Sequence, residues 1–437
     1  MSEPTQSTPG SAPVVAAEPK RSGFQVVQSA IGQGGLLMVL LAFVLFFQIT
    51  TNGVMLKSLN VTNVFLQNGY ILVMALGMLL IIVIGHIDLS VGSVAGFLGA
   101  IVAVLMVGVT VPVLGKVQLD PLLAVALTLI AGGLIGVWQG IWVAYLRVPS
   151  FIVTLAGMLL FRGATLFMLG GQPVGPFPES FRAISSGFIP EIIGTIPDPF
   201  GTATPPIKLL GIVMPVGGDP LQLTTLLLGA ILSGFLVFLA FRARREQVKY
   251  GFAVPSIAQF WLRNALIIFG IMFIAYRLAG YKGLPIVALI AFILIGIYMF
   301  VTLRTTLGRR IYAVGGNAKA AMLSGVNAKW MVFLTFINMG VLAALGGMII
   351  AARFNSATPK AGYGFELDVI AATFVGGASA YGGVGTVAGT VIGAVFFGLL
   401  NIGMGVMSIP IDYQFMFKAL VLLFAVYFDV RGKTRDA

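Results

Sequence analysis

The sequence contains no cysteine and a single histidine, His86, among its 437 residues. Without cysteine the chain forms no disulfide bond and offers no thiolate to a metal, and one histidine excludes sites that need several imidazole ligands. A Ser-His-Asp triad has little support for the same reason. We therefore predict that the chain holds no metal ion and no cofactor.

Charge is also scarce, because Asp, Glu, Lys and Arg make up only 9% of the residues, against about 25% in soluble domains. Hydrophobic residues account for 58%, and the mean hydropathy is +1.03. Neither a P-loop motif nor a dinucleotide fingerprint after a strand occurs in the sequence. The composition predicts an all-α polytopic membrane protein that is not itself an enzyme, so any energy from a nucleotide must come from another chain.

Apolar runs of about 20 residues are long enough to span a bilayer, and the sequence has twelve candidates. The tenth is short and runs into a cluster of glycines between Gly376 and Gly385, which predicts a broken or re-entrant helix. The candidate spans are residues 35–51, 63–84, 90–109, 121–146, 150–170, 221–241, 262–281, 284–303, 330–352, 366–379, 386–407 and 413–430.

An even number of spans places both termini on the same side of the membrane. Most Lys and Arg residues lie in segments on that side, including residues 242–249 and 304–329. The positive-inside rule therefore predicts cytoplasmic termini, and it accounts for the net charge of +12 without a nucleic-acid partner. We expect a disordered cytoplasmic tail at residues 1–34, a membrane domain at residues 35–430 and a short cytoplasmic tail at residues 431–437.

The polar, basic segment at residues 305–329 lies between two long apolar runs and contains the signal for a short helix. Gly315 and Gly316 interrupt the chain, Asn317 is a favourable N-cap, and the alanines that follow are strong helix formers. Gly325 is placed to end the helix. Because a helix of two turns is not stable alone in water, we expect it to dock either on the membrane helices of its own chain or on a soluble partner.

Two runs in this segment, residues 308–317 (Gly-Arg-Arg-Ile-Tyr-Ala-Val-Gly-Gly-Asn) and 321–326 (Ala-Met-Leu-Ser-Gly-Val), resemble the cytoplasmic coupling loop of bacterial ABC importer permeases for ribose, xylose and galactose. Residues 85–93 and 364–394 resemble two further signatures of that family, with His86 in place of a glycine. The resemblance implies that the short helix binds a groove of the ATP-hydrolysing subunit. The implied coupling residues are Gly308, Arg309, Gly315, Gly316, Asn317, Ala318, Lys319, Ala321, Met322, Ser324 and Gly325.

The resemblance also implies a core of about ten membrane helices. Here three spans, instead of the single span usual in that family, separate the long outer loop at residues 171–220 from the coupling loop at residues 304–329. The additional pair forms an insertion of two helices at residues 221–281, which is similar to the xylose-type branch. The outer loop is interpreted either as a linker or as a docking site for an extracytoplasmic binding protein.

The function implied by the resemblance is import of a monosaccharide, a pentose such as D-xylose, by the membrane subunit of an ABC importer. The implied partners are a cytoplasmic ATP-binding subunit, a periplasmic sugar-binding protein and a second copy of the chain, at the bacterial inner membrane. The alternative is an ion-coupled secondary transporter, which needs acidic groups in mid-membrane, whereas the acids here cluster at span ends and in loops. An intramembrane enzyme that uses His86 and Asp88 lacks a nucleophile or metal set around them.

Polar side chains in the spans are candidates for the pathway of the solute. Amides and hydroxyls suit a sugar, although polar residues are equally expected at the ends of membrane spans. Asp88 and Ser90 either cap the helix that starts at Val91 or form part of a gate. The pathway or gate candidates are Asn68, Asp88, Ser90, Asn401 and Gln414.

Glycines recur every four residues in several spans, and such faces of small residues let membrane helices approach closely. The third and eleventh spans share a plan, a polar glycine-rich break before a helix with a small face, which suggests two related halves. Glu366 and Asp368 are interpreted as favourable charges at the start of the tenth span. The packing candidates are Gly132, Gly136, Gly385, Gly389 and Gly393.

Overall fold

The computed structural model describes residues 23–108, 110–111, 115–198, 206–209, 212–215, 220–252 and 254–436. Residues 1–22 of the predicted tail lie outside the described residues, and the first helix begins at Gly23, before the predicted start of the membrane domain. Fifteen α-helices occur within the described residues. They are α1 (Gly23–Thr50), α2 (Ser58–Val83), α3 (Val91–Val107), α4 (Pro121–Gly140), α5 (Ser150–Leu169), α6 (Glu179–Ser186), α7 (Leu223–Lys249), α8 (Ile257–Ala279), α9 (Ile286–Arg304), α10 (Thr306–Gly316), α11 (Ala318–Leu323), α12 (Ala328–Phe354), α13 (Phe365–Val375), α14 (Val387–Val406) and α15 (Ile411–Asp436).

Within the described residues, β structure is confined to the connections between helices, and a π-helix at Ile141–Tyr145 continues α4. Each of the short strands pairs antiparallel with one other strand. The pairs are β1 (Thr110–Val111) with β2 (Gly115–Lys116), β3 (Thr195–Pro197) with β6 (Pro220–Gln222), and β4 (Pro206–Leu209) with β5 (Ile212–Pro215).

Eight helices in the described part of the chain are long and apolar enough to cross a membrane, namely α2, α4 with its π-helix, α5, α7, α8, α9, α12 and α14. The helix α3 and the Leu37–Thr50 part of α1 are apolar but shorter. The helix α13 has 11 residues, which correspond to about 16 Å and so to about half of a hydrocarbon core. The all-α polytopic fold is confirmed, and the number of twelve spans stays a prediction.

The centre of the fold is α2, whose most apolar stretch is 94% buried. The helices α9, α12, α13 and α14 pack against it, as expected for a helix that is apolar on every side and lies inside a protein. At the periphery, α4, α5, α7 and α8 expose large apolar side chains such as Leu122 and Phe269. These surfaces suit contact with lipid tails, which are as apolar as the side chains themselves.

Close contact between α4 and α12 depends on glycine. A Cβ atom on Gly132 would lie 2.5 Å from the carbonyl oxygen of Gly340, and a Cβ atom on Gly136 would lie 2.6 Å from Cα of Ile337. No side chain fits at either position, so the backbones of the two helices touch.

The helix α14 packs on α13 in the same way, because Gly389 and Gly393 lie against backbone carbonyls at Gly376 and Ala372. Gly385 does not share this face. It precedes the first residue of α14 and instead lies beside side chains of α2. The expected repeat of three glycines on one helical face is therefore limited to two, since the helix begins only after Gly385.

The helices α7 and α8 form a hairpin at the position of the predicted insertion. They pack on each other, and α8 also contacts α2, but most of the apolar side chains of both helices are not buried. A reciprocal capping box between Ser256 and Gln259 fixes the start of α8. The hairpin therefore lies at the side of the core, which it joins through Leu278 near the end of α8.

Candidate functional site

The segment between α9 and α12 folds into two short helices. Thr305 caps α10 by accepting a hydrogen bond from the N–H of Gly308 at 3.2 Å. Asn317 caps α11 as predicted, since its Oδ1 accepts from the N–H of Ala320 at 3.0 Å. Gly325, with a φ of 80°, lies in the turn after α11. Sequence reasoning missed α10, although the threonine cap was a usable signal.

The helix α11 has one covered side and one free side. Ala321 is buried against the rest of the chain, whereas Leu323 is 91% exposed and Met322 is 52% exposed. Most of the other predicted coupling residues in this segment are exposed as well: Arg309, Gly316, Asn317, Ala318, Lys319, Ser324 and Gly325. An apolar side of a six-residue helix thus projects from the protein together with a lysine.

The two remaining predicted coupling residues contact their own chain instead. Gly308 is buried against the end of α9, and a Cβ atom on Gly315 would overlap the carbonyl oxygen of Val83 at the end of α2. That carbonyl also accepts a hydrogen bond from the N–H of Gly383 at 2.8 Å. The helix α10 therefore touches both the end of α2 and the segment between α13 and α14.

A second contact joins α10 to this segment. The hydroxyl of Tyr312 donates to the carbonyl of Gly385 at 2.7 Å. The same region borders a groove of about 590 Å³ whose wall includes Arg309 and Tyr312. Residues 376–386 are thus held between α10 and the helix α14 that follows them.

The connection from α2 to α3 contains a buried polar network. Asp88 and Ser90 are 2% and 0% exposed. The Oδ1 atom of Asp88 accepts from the N–H of Ser90 at 2.8 Å and from its hydroxyl at 2.6 Å, and Gln139 of α4 donates to that hydroxyl at 2.6 Å. The helix α3 begins at Val91 as expected. Neither Asp88 nor Ser90 caps it with its side chain, because the two residues hydrogen-bond to each other instead.

Gln139 was missed from the sequence, although an amide in an apolar span was a usable signal. It lies next to the start of the π-helix that ends α4. His86 does not join the network, and its ring lies 6.1 Å from the ring of Phe336. The network fixes the connection between α2 and α3 to α4, and its buried polar groups find their hydrogen-bond partners inside the protein.

Two buried carboxylates in the first turn of α13 each pair with a cation from another helix. Glu366 lies 2.9 Å from Arg162 of α5, and Asp368 lies 3.0 Å from Lys418 of α15. The acids occupy the helix start, as predicted, where the helix dipole favours negative charge. Their partners could not be assigned from the sequence, which placed Arg162 and Lys418 only within or beside spans.

Arg162 connects three elements at this point. Besides Glu366 it donates to the hydroxyl of Ser93 in α3 at 3.1 Å, and its guanidinium lies 4.3 Å from the ring centre of Tyr363. A Cβ atom on Gly92 would overlap Glu366. The N-terminal ends of the shortened helices α3 and α13 therefore meet, and Arg162 holds them together.

The predicted amides of α2 and α14 lie together. Asn401 donates to Oδ1 of Asn68 at 2.9 Å, and Asn68 donates to the carbonyl of Gly398 at 3.5 Å. Gln414 is not part of this pair, since it donates to the carbonyl of Ile409 in its own segment at 2.8 Å. Asn68 also lines a cavity of about 370 Å³.

The loop at residues 171–220 is attached to the membrane helices at several points. Isolated antiparallel bridges join Val174 to Ala357 and Phe188 to Pro285. The first bridge reaches the connection between α12 and α13, and the second reaches the start of α9. The loop is therefore packed directly on two connections of the membrane domain.

Glu191 fastens the same loop to the start of α7. Its carboxylate accepts from the hydroxyl of Thr224 at 2.6 Å and from the N–H of Gly194 at 2.8 Å. Partial burial raises the pKa of Glu191, but the hydroxyl and backbone donors outweigh burial and hold the pKa below the ordinary 4.5. The ionised form of Glu191 therefore fixes the loop.

Two comparisons with known proteins find relatives of this chain. The model of the family described as branched-chain amino acid transport system / permease component matches residues 60–426. The xylose transport system permease protein of Escherichia coli (strain K12) is 35% identical over 421 residues, which cover 96% of this chain and 97% of that protein. The xylose permease protein of Haemophilus influenzae is 34% identical over 402 residues, covering 92% and 96%. The ribose import permease protein of Escherichia coli (strain K12) is 33% identical over 370 residues, covering 85% of each chain.

No solved structure gives a significant match. The family match nevertheless begins in α2 and ends in α15, and so it includes the segment between α9 and α12, the polar network and the charged pairs. The relatives are transport permeases and not enzymes. The chain therefore belongs to this permease family, in the branch of the xylose-type permeases.

Proposed function

We propose that the chain is the membrane-spanning subunit of an ATP-binding-cassette importer that moves a monosaccharide, a pentose such as D-xylose, into the cytoplasm. Relatives that match nearly the whole chain are named as xylose permeases. The observation that carries the proposal is the exposed apolar side of α11, with Leu323 and Met322 outermost. A helix of this length needs a partner surface, and a cytoplasmic ATP-binding subunit supplies both that surface and the hydrolysis.

Movement of α11 reaches the pathway through α10. The helix α10 has 11 residues, and only Asn317 separates it from α11. Its last turn rests on Val83 and on Gly383 through backbone atoms, so no flexible side chain absorbs a displacement. A push on α11 therefore shifts the end of α2 and the segment before α14 together.

The end of α2 passes this movement to the polar network. Asp88 follows α2 closely in sequence, and it is bound through Ser90 to Gln139 of α4. Residues 376–386 pass the same movement to α13, whose carboxylates hold α5 and α15. Access to the pathway then alternates as these helices change position relative to one another.

The proposed importer has two further partners, a sugar-binding protein and a second copy of the chain. A periplasmic sugar-binding protein docks on the loop at residues 171–220, whose bridges lead to α9 and to the connection after α12. A second copy of the chain completes the assembly in the bacterial inner membrane, with both termini in the cytoplasm. Support for this orientation is the excess of Lys and Arg on the side of α10 and α11.

The test is reconstitution in vesicles with a candidate ATP-binding subunit and binding protein. The wild type is expected to accumulate D-xylose only with ATP. The double variant Lys319→Glu with Met322→Asp is expected to reduce uptake about tenfold or more, since it places charge on the docking side of α11. The matched control, Val248→Asp with Lys249→Glu, changes exposed positions at the end of α7 and should leave uptake unchanged.

Unchanged uptake in the α11 variant contradicts the docking proposal. Uphill uptake that persists without the ATP-binding subunit and follows a proton or sodium gradient would instead establish the secondary transporter. The structure gives little support to a secondary transporter, because the buried acids Glu366 and Asp368 are each already paired with a cation.

A further inference from the structure

Two adjoining cavities lie at the end of α12 that is distant from α11. The larger has a volume of about 370 Å³ and the smaller about 210 Å³. Ile350, Phe354 and Phe365 line both, so the two cavities share a wall. The larger volume falls within the range of about 300–1,000 Å³ that is usual for small-molecule sites.

The larger cavity gathers polar side chains in a protein that has few. Gln67, Asn68 and Tyr70 of α2 and Arg353 of α12 line it, and no carboxylate does. Within the described residues the side chains of Gln67 and Arg353 make no hydrogen bond, so their donors and acceptors are available to a ligand. Amide, phenol and guanidinium groups can all bind hydroxyls, and a lining without an acid does not suit a metal cation.

An aromatic wall completes the cavity. The rings of Tyr70 and Phe365 lie with their centres 4.5 Å apart at an angle of 34°. Apolar ring faces of this kind can pack on the C–H surface of a sugar while the amides bind its hydroxyls. Asn68 is held in place by its bond with Asn401, so one polar group of the cavity is oriented before any ligand arrives.

We propose that this cavity is a transient binding site for a neutral aldopentose, in which Gln67 and Arg353 bind hydroxyl groups and Tyr70 and Phe365 pack on the ring. The choice of an aldopentose as the ligand rests on the proposed function, whereas the polar and aromatic lining of the cavity is a feature of the fold. Phe365 is the first residue of α13, and Asn401 belongs to α14. The site therefore lies on α2, α12 and α13, and α10 contacts the first two of these helices.

The absence of cysteine makes a direct binding test possible. A Gln67→Cys variant of the full chain, purified in lipid nanodiscs, is labelled with a maleimide in the presence and absence of D-xylose at high millimolar concentration. The control is Ile192→Cys, at a position 77% exposed in the loop at residues 171–220. D-xylose is expected to slow labelling of Gln67→Cys about fivefold without changing the control, and sucrose should have no effect.

Equal labelling rates with and without D-xylose, or equal slowing of both variants, would overturn the site. This outcome does not depend on transport, so it can be distinguished from failure of the importer proposal. If the wild type fails to import any sugar but Gln67→Cys is protected, the site stands and the proposed function falls.

A kinetic test applies once uptake by the wild type is shown. Because a separate binding protein sets the affinity for external sugar, Gln67→Leu and Arg353→Gln should each lower the maximal uptake rate about fivefold while KM stays within about twofold. ATP hydrolysis stimulated by the loaded binding protein should persist. Asn264→Leu, which removes a buried amide from α8, is the matched control and should transport normally. Normal maximal rates in both cavity variants would contradict the proposal.

Discussion

Replacement of Arg162 by Met is expected to destabilise the folded protein by about 3–5 kcal/mol, because it leaves the carboxylate of Glu366 without a counter-charge inside the protein. The two side chains are 22% and 9% exposed and lie 2.9 Å apart, so water screens their attraction only weakly. The same change removes the bond to Ser93 and the contact with the ring of Tyr363, each worth about 1 kcal/mol. These further losses place the destabilisation caused by Arg162→Met in the upper part of the range of about 3–5 kcal/mol.

A double-mutant cycle isolates the ion pair from these other contacts. Glu366→Gln is expected to cost less than Arg162→Met, and the two together should cost about 1.5–3 kcal/mol less than the sum of the single changes. Unfolding in lipid nanodiscs, followed by tryptophan fluorescence against denaturant, supplies the free energies. The surface pair of Arg242 and Glu246, 69% and 54% exposed, is the control and should show a coupling below about 0.5 kcal/mol. Additive costs for the buried pair would refute the assignment.

Three further outcomes follow from the structure. Gly315→Ala should lower the number of sugars moved per ATP, because its Cβ atom overlaps a carbonyl of α2. Gly296→Ala, which lies in open space on α9, is the control and should behave as wild type. Gln139→Leu should destabilise the protein by about 1–2 kcal/mol, measured by the same unfolding assay, and by less when Ser90→Ala is also present. Glu191 has a lowered pKa, so its ionised form stabilises the loop fully at neutral pH and that contribution is lost as pH falls through the folded pKa, below 4.5. The rate of proteolysis of the loop should therefore rise in the wild type when the pH is lowered from neutral to below the folded pKa of Glu191. The Glu191→Gln variant should be cleaved equally fast at neutral and at acidic pH.

Local features of the fold could be predicted from the sequence because their causes are local. Asn317 caps α11 through a bond to a residue three positions away, and the glycines after Val375 end α13 early. The long apolar runs define most of the spans for the same reason. Gly385 was misassigned because a repeat of glycines does not show where a helix begins.

Contacts between distant helices could not be predicted. Arg162 and Glu366 are separated by 204 residues and Asn68 and Asn401 by 333. In lipid, most helix surfaces are equally apolar, so the hydrophobic pattern that selects neighbours in soluble proteins is absent. Asn68 and Asn401 were recognised one by one as candidates, but only the folded chain shows that they bind each other.

The proposed mechanism requires that an ATP-hydrolysing subunit binds α11 in the cytoplasm. Because the natural chain has no cysteine, Leu323→Cys gives a single reactive thiol at the most exposed position of that helix. In intact cells a membrane-impermeant maleimide added outside should not label this thiol. In inverted vesicles the thiol should cross-link to the ATP-binding subunit. Labelling from the outside, or a cross-link to no nucleotide-hydrolysing protein, would contradict the account.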